Sequence, residues 1–191
     1  MKHCEALIIG GSAGSLNVII SILPSIKSVL SFAIILVLHR KAGKDLLSEL
    51  LASKTEMAVK EIDEKEKIKP SHLYIAPPNY HLLIEEDRTF SLDASEKVNF
   101  SRPAIDVTFQ SAAEVFKSNL VCLLLSGANS DGTDGLIKVK KNGGTVLIQD
   151  PSTAVVSYMP QNAMDHVVAD KVLKIDEMAD YINRLTADDY E

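Results

Sequence analysis

Three side chains with the chemistry of a serine hydrolase follow three apolar runs of this sequence. Ser12 comes directly after ALIIGG, His39 directly after FAIILVL, and Asp131 shortly after LVCLLLS. In a catalytic triad the imidazole takes the hydroxyl proton and the carboxylate orients the imidazole. If the runs are parallel strands, these side chains meet at the carboxyl edge of one sheet, where open α/β proteins bind their ligands. The pattern therefore predicts a nucleophilic hydrolase site.

The glycine-rich turn around Ser12 has three interpretations. Gly10, Gly11 and Gly14 allow a tight turn, and the helix start that follows exposes backbone N–H groups that can stabilise an oxyanion. A dinucleotide-binding loop uses the same strand, turn and helix. Its G-x-G-x-x-G pattern would, however, need glycine where Ser12 and Ser15 stand. This segment alone does not separate a hydrolase turn from a phosphate loop or a plain tight turn.

The other two residues also have ordinary structural explanations. A histidine such as His39 often closes a buried strand without a catalytic role, and Asp131 could cap a helix that begins near Gly132. Asp134 could take either role of Asp131. His81 starts a predicted hairpin, where it either borders the cleft or lies on the surface. The remaining histidines lack the spacing of metal ligands, so we predict no metal and no cofactor.

Alternating strands and helices are expected to position these residues, which implies a parallel sheet. We predict an α/β fold: a doubly wound, mostly parallel sheet with helices on both faces and a β-hairpin insertion near residues 81–94. Ser101 is the expected N-cap of a helix that has Pro103 in its first turn and runs to about Lys117. The other predicted strands are 5–11, 32–38, 58–62, 73–76, 120–126, 145–150 and 166–170, and the other predicted helices are 14–23, 44–53, 132–141, a short one after Pro160 and 176–186.

Composition sets the broad class of the protein. The chain has 191 residues, of which 46% are hydrophobic and 24% charged, as in an ordinary globular protein, and we predict a single domain over 1–191. A net charge of −6 argues against a nucleic-acid partner, because phosphate binding needs a basic face. The sequence lacks a signal-peptide pattern and a long apolar run, so we predict a cytoplasmic protein without membrane insertion. Cys4 and Cys122 are expected to be reduced packing residues.

Six ordered segments resemble the catalytic domain of the chemotaxis protein-glutamate methylesterases, the CheB family, over nearly the whole chain. They are GGSAGS, LHR, YIAPPNYH, RPAID, SGANSDG and QDPSTAVVSYMP. The resemblance implies that Ser12 is the nucleophile, His39 the base and Asp131 the orienting acid. It implies hydrolysis of glutamyl methyl esters on a methylated chemoreceptor or related signalling protein, and in this family often deamidation of glutamine. The family's usual N-terminal receiver domain has no counterpart in this sequence.

Three positions depart from the pattern of that family. Ala13 and Ser15 replace the small polar residue and the glycine that usually follow the nucleophile. Ala128 stands where the family commonly has a methionine associated with the oxyanion hole. These departures leave a second hypothesis, a catalytically weak stand-alone signalling module of the same fold. The candidates for the oxyanion hole and cleft are Ala13, Gly14, Ala128, Met159 and His81.

Overall fold

A computed structural model describes residues 3–40 and 46–186 of the chain. The strands are β1 (Ala6–Gly11), β2 (Ala33–Leu38), β3 (Ala58–Glu61), β4 (His72–Ile75), β5 (His81–Ile84), β6 (Phe90–Asp93), β7 (Leu120–Leu124), β8 (Thr145–Gln149) and β9 (Lys171–Leu173). The α-helices are α1 (Ser15–Ile22), α2 (Leu47–Ala52), α3 (Ile105–Phe116), α4 (Thr133–Lys141), α5 (Tyr158–His166) and α6 (Ile175–Asn183).

Seven strands form one parallel sheet in the order β3-β4-β2-β1-β7-β8-β9. The chain leaves β1 toward β2 on one side and returns to β7 on the other, which makes the carboxyl end of β1 the switch point of the sheet. Ligands of open α/β proteins bind at such a point. Strands β5 and β6 form a separate antiparallel hairpin, as predicted for residues 81–94.

Helices cover both faces of the sheet, and this confirms the predicted doubly wound architecture. Side chains of β1 alternate between two cores, with Leu7 packing toward α1, α2 and α6, and Ile8 toward α3, α4 and α5. Because both faces are buried, the central strands are continuous apolar runs. Cys4 and Cys122 are free and buried, as expected, and burial raises the pKa of the Cys4 thiol to about 12.

The start of α3 differs from the prediction. Ser101 is not its N-cap and Pro103 lies outside it, because the helix begins at Ile105. The backbone N–H groups of Ile105 and Asp106 donate to the carboxylate of Asp131 at 2.7 and 2.9 Å. The cap is thus supplied by Asp131, which lies 26 positions after Ile105 and 25 positions after Asp106. Local sequence patterns do not reveal a partner at this separation.

The last strand also lies elsewhere than predicted. Helix α5 continues through His166, and β9 begins only at Lys171 instead of spanning 166–170. Val168, which the apolar pattern placed in the strand, is 79% exposed. Of the predicted helix at 44–53, the first two residues lie outside the described residues. Within residues 3–40 and 46–186, no helix is long and apolar enough to span a lipid bilayer.

Candidate active site

The sheet register places Ser12 and His39 side by side. Gly11 of β1 pairs with Leu38 of β2, so the next residues of both strands are Ser12 and His39. The His39 N–H donates to the Gly11 carbonyl at 3.2 Å. On the other side, the Ser12 N–H donates at 2.9 Å to the carbonyl of Ser126, which follows β7. The three strand ends therefore meet at the carboxyl edge of the sheet, as expected from the sequence.

His39 and Asp131 are joined by a short hydrogen bond. The distance from His39 Nε2 to Asp131 Oδ2 is 2.7 Å, and the Asp131 side chain is fully buried whereas that of His39 is 13% exposed. The same carboxylate accepts the N–H groups of Ile105 and Asp106 at the start of α3, where the helix dipole favours negative charge. Asp131 therefore caps α3, and it does not cap the helix after Gly132, which has no side-chain cap.

The second ring nitrogen of His39 faces the cleft. A carboxylate only accepts hydrogen bonds, so Nε2 carries the proton and Nδ1 is the basic nitrogen. Ser101 Oγ lies 3.5 Å from Nδ1, at the outer limit of a hydrogen bond. Within the part of the chain that the structure describes, no hydrogen bond joins the Ser12 hydroxyl to the His39 ring. The structure thus brings His39 and Asp131 together and places Ser12 beside them without a direct bond.

The turn after Ser12 is held through its carbonyl groups. The Ser12 carbonyl accepts from Ser15 N and Ser15 Oγ at 3.1 and 2.6 Å, and the Ala13 carbonyl accepts from Ser126 Oγ at 2.7 Å. Gly14 has a left-handed backbone (φ 84°) that precedes α1. Among residues 3–40 and 46–186, no carbonyl accepts the N–H of Ala13 or of Gly14. These two N–H groups, in the turn before α1, therefore have no backbone acceptor among the described residues, and their role in an oxyanion hole stays a prediction.

Gly127 lies between Ser12 and Met159. A Cβ on Gly127 would lie 2.5 Å from Met159 Cε and 3.1 Å from Ser12 Cβ, so a larger residue would require the Met159 side chain to move. The Met159 N–H donates to the Gly127 carbonyl at 2.9 Å, and its side chain is fully buried behind the site. The neighbouring Ala128 is exposed. Met159 therefore packs behind Gly127, and neither Met159 nor Ala128 is among the described residues that line the cleft beside His39.

His81 has a supporting position in the wall of the site. It is 1% exposed, so it is not a surface residue. Its Nε2 donates to the Glu96 carbonyl at 2.8 Å, and its Nδ1 accepts from the Ala104 N–H at 3.2 Å. The ring thereby holds the segment 96–104, which includes Ser101, against the hairpin.

Asp106 is a buried acid that ends the RPAID segment, and the sequence gives little sign of its environment. Its carboxyl accepts from the Gly135 N–H at 2.7 Å and from Asn99 Nδ2 at 3.1 Å. Burial, reinforced by the nearby charge of Asp131, raises the pKa of Asp106 to about 7. The only signal in the sequence was an acid in the first turn of a helix, which usually indicates helix stabilisation.

This raised pKa makes stability depend on pH. The pKa of Asp106 in the folded protein is about 7, above its ordinary value of 3.8, so the folded protein holds this proton more tightly than the unfolded chain does. The stability gained from this proton is fully present below pH 3.8 and is lost as the pH rises through about 7. Asp106→Asn mimics the protonated acid and keeps an acceptor for the Gly135 N–H. We expect the melting temperature of this variant minus that of the parent protein, both measured by circular dichroism, to increase between about pH 5 and about pH 8, because only the parent loses stability over this range. A difference in melting temperature that stays constant across this range would contradict the expectation. Glu86→Gln, at an exposed acid in the turn between β5 and β6, is the control.

A cleft of about 380 Å³ opens beside His39. Its lining includes His39, Ser101, Arg40, Lys97, Phe100 and Arg102. Arg40 is held by Glu61 and Ala76, since its Nη2 donates to Glu61 Oε2 at 2.6 Å and to the Ala76 carbonyl at 3.2 Å. The lining of this cleft includes the Ser101 hydroxyl and the His39 ring, whereas Ser12 is not among its described lining residues.

Comparison with known proteins agrees with this geometry. The family model described as CheB methylesterase matches residues 7–182. A Leptospira interrogans protein, provisionally named protein-glutamate methylesterase/protein-glutamine glutaminase, is 44% identical over 98% of this chain and 97% of its own length. The Thermotoga maritima protein of that name is 38% identical over 88% of this chain, which spans only 50% of that protein.

A solved structure supports the same assignment. The catalytic domain of Thermotoga maritima CheB methylesterase superposes with a TM-score of 0.89 at 35% identity, covering 96% of this chain and 99% of that domain. Sequence similarity and fold therefore agree over almost the whole of residues 7–182. The chain belongs to the CheB methylesterase family.

Proposed function

We propose that this chain hydrolyses glutamyl methyl esters of a chemoreceptor-type protein, with Ser12 as nucleophile, His39 as base and Asp131 as orienting acid, in a single catalytic domain. The observation that carries the proposal is the 2.7 Å bond between His39 and Asp131 at the strand end beside Ser12. The relatives named above are protein-glutamate methylesterases, which makes a glutamyl ester the expected substrate.

In the first half of the reaction, His39 Nδ1 takes the Ser12 proton while Ser12 Oγ attacks the ester carbonyl carbon. The Ser12 side chain must rotate toward Nδ1 for this step, and catalytic hydrogen bonds are often loose before substrate binds. The oxyanion of the tetrahedral intermediate is stabilised by the N–H groups of Ala13 and Gly14. The intermediate collapses, the C–O bond to the methoxy group breaks, and the imidazolium returns the proton so that methanol leaves.

In the second half, water replaces methanol. His39 Nδ1 takes a proton from the water, the hydroxide attacks the acyl carbon, and the bond to Ser12 Oγ breaks. The proton returns to Ser12, and a glutamate side chain is released. Throughout, Asp131 holds the proton on Nε2 and stabilises the imidazolium. The same steps with ammonia as leaving group would deamidate a glutamine, which the names of the relatives include.

The proposal is tested by active-site labelling and product release. The protein is expected to release methanol from a methylated chemoreceptor fragment, and a fluorophosphonate probe is expected to modify Ser12, as read by peptide mass spectrometry. Because the proposed chemistry uses no metal or cofactor, dialysis against EDTA should leave methanol release unchanged. Absence of methanol release together with absence of labelling would contradict the proposal.

A second candidate is a signalling module of the same fold that binds a partner with little catalysis. The observation in its favour is the lack of a hydrogen bond between the Ser12 hydroxyl and His39 within the described residues. It predicts receptor binding without methanol release and without labelling of Ser12. The labelling experiment therefore separates the two candidates.

A further inference from the structure

The cleft beside His39 is lined by cations although the chain is acidic overall. The net charge is −6, yet the charged side chains of the cleft, other than the imidazole, are Arg40, Lys97 and Arg102. Arg40 is neutralised by Glu61. Within residues 3–40 and 46–186, no carboxylate forms an ion pair with Lys97 or Arg102. Two cationic charges at the mouth of the site are therefore available to a ligand.

Arg102 is fixed in place and only partly satisfied. Its Nη1 donates to the backbone carbonyls of Ala94 and Ser95 at 2.8 and 2.6 Å. Its Nε is buried without a hydrogen-bond partner among the described residues. Neutral carbonyl groups hold the guanidinium, and the Asp93 carboxylate interacts with it electrostatically without forming an ion pair, so its positive charge is only partly offset.

Between these two cations a tight turn exposes an aromatic ring. Val98 and Ser101 exchange backbone hydrogen bonds of 3.2 and 2.9 Å across Asn99 and Phe100, which have φ values of 50° and 61°. Glycine usually occupies the second of these positions, because a bulky residue there is strained. Asn99 anchors the turn through its 3.1 Å bond to Asp106. Phe100 is nevertheless 97% exposed, so the fold holds an aromatic side chain in solvent beside the cleft.

The chemistry of the substrate explains this combination of charge and apolar surface. This step rests on the proposed function, in which each turnover converts a neutral ester into a glutamate carboxylate. A substrate segment that carries this carboxylate, or others beside the ester, is acidic, and cations without an ion-pair partner attract it. An exposed aromatic ring adds apolar contact, which small esters cannot exploit.

We propose that Lys97, Phe100 and Arg102 form the docking surface for the acidic segment of the protein substrate that carries the glutamyl ester. Lys97 and Arg102 pair with carboxylates of that segment, and Phe100 packs against its apolar side chains. The surface selects a protein substrate, while the reaction itself occurs at Ser12 and His39.

Two variants test the docking surface on two substrates. Lys97→Glu reverses a charge, and Phe100→Gly removes the ring at a position whose backbone suits glycine. The substrates are a methylated chemoreceptor fragment and p-nitrophenyl acetate, a small ester that cannot contact the turn. The control is Lys171→Glu, at an exposed lysine that begins β9 at the opposite edge of the sheet.

At low salt we expect Lys97→Glu to lower kcat/KM for the receptor fragment about tenfold more than kcat/KM for p-nitrophenyl acetate. Most of this change should be in KM, and it should shrink as ionic strength rises, because salt screens exposed charges. Phe100→Gly should lower kcat/KM for the receptor fragment about fivefold more than kcat/KM for p-nitrophenyl acetate, and this difference should not depend on ionic strength. Lys171→Glu should leave kcat/KM unchanged for both substrates.

The outcomes separate the docking surface from the function. If the parent protein releases methanol and both cleft variants lose activity equally on the two substrates, or lose none, the docking surface is refuted and the function stands. A loss of equal size and salt dependence in Lys171→Glu also refutes it, because the effect would then follow net charge alone. If the parent protein releases no methanol from the receptor fragment, the function itself fails.

Discussion

We expect Ser12→Ala to lower kcat/KM for methanol release from a methylated chemoreceptor fragment by at least about 1000-fold, because the variant has no nucleophile to form the acyl-enzyme. The substitution removes one oxygen from a half-buried position whose backbone bonds to Ser126 and Ser15 remain. The fold should therefore persist, which circular dichroism melting can check. Methanol released from the receptor fragment is measured directly, so that spontaneous hydrolysis of a small ester such as p-nitrophenyl acetate does not hide the loss.

Ser101 is the matched control for this experiment. Its hydroxyl lies 3.5 Å from His39 Nδ1, which makes it the other hydroxyl near the basic nitrogen. We expect Ser101→Ala to keep kcat/KM within about threefold, because Ser101 lies in a turn and not at a helix start with free N–H groups. If Ser101→Ala instead abolished turnover and Ser12→Ala did not, Ser101 would be the nucleophile and our assignment would be wrong.

The sequence predicted the elements that carry the site because strong local patterns specify them. The runs around β1, β2 and β7 are continuous and apolar, as strands buried on both faces must be. The hairpin was evident from two short strands around Asp87 and Arg88. From parallel strands alone, Ser12, His39 and Asp131 were expected at one sheet edge, and the register confirms that edge.

What the sequence did not predict depends on contacts between distant segments. The cap of α3 comes from Asp131, and the approach of Ser101 to His39 joins residues 62 positions apart. The raised pKa of Asp106 follows from burial and from the charge of Asp131, neither of which a local pattern reveals. Likewise, the cationic cleft was hidden because Lys97 and Arg102 are isolated in an acidic sequence.

Asp131→Asn should also have a large effect, a loss of about 10³ to 10⁴ in kcat. If the amide N–H group faces His39 Nε2, that nitrogen must accept, so the proton moves to Nδ1 and the imidazole can no longer take the proton of Ser12. If the amide oxygen faces His39 instead, the amide N–H group points at the N–H of Asp106, and a buried donor is left unsatisfied. Both arrangements destabilise the fold by about 1–3 kcal/mol, because the first turns the amide N–H group toward the N–H of Ile105, which donates to the same Asp131 oxygen as His39. Only the first arrangement also stops catalysis.

Kinetics distinguishes these arrangements, and melting reports the unsatisfied donor that both contain. We expect the Asp131→Asn protein to remain folded with a lowered melting temperature, and to lose kcat on both the receptor fragment and p-nitrophenyl acetate, because the defect lies in proton transfer and not in docking. Asp134→Asn, three residues away on the exposed first turn of α4, should change neither quantity appreciably. Full activity of Asp131→Asn would mean that the 2.7 Å bond to His39 is structural, and that another group sets the tautomer of the base.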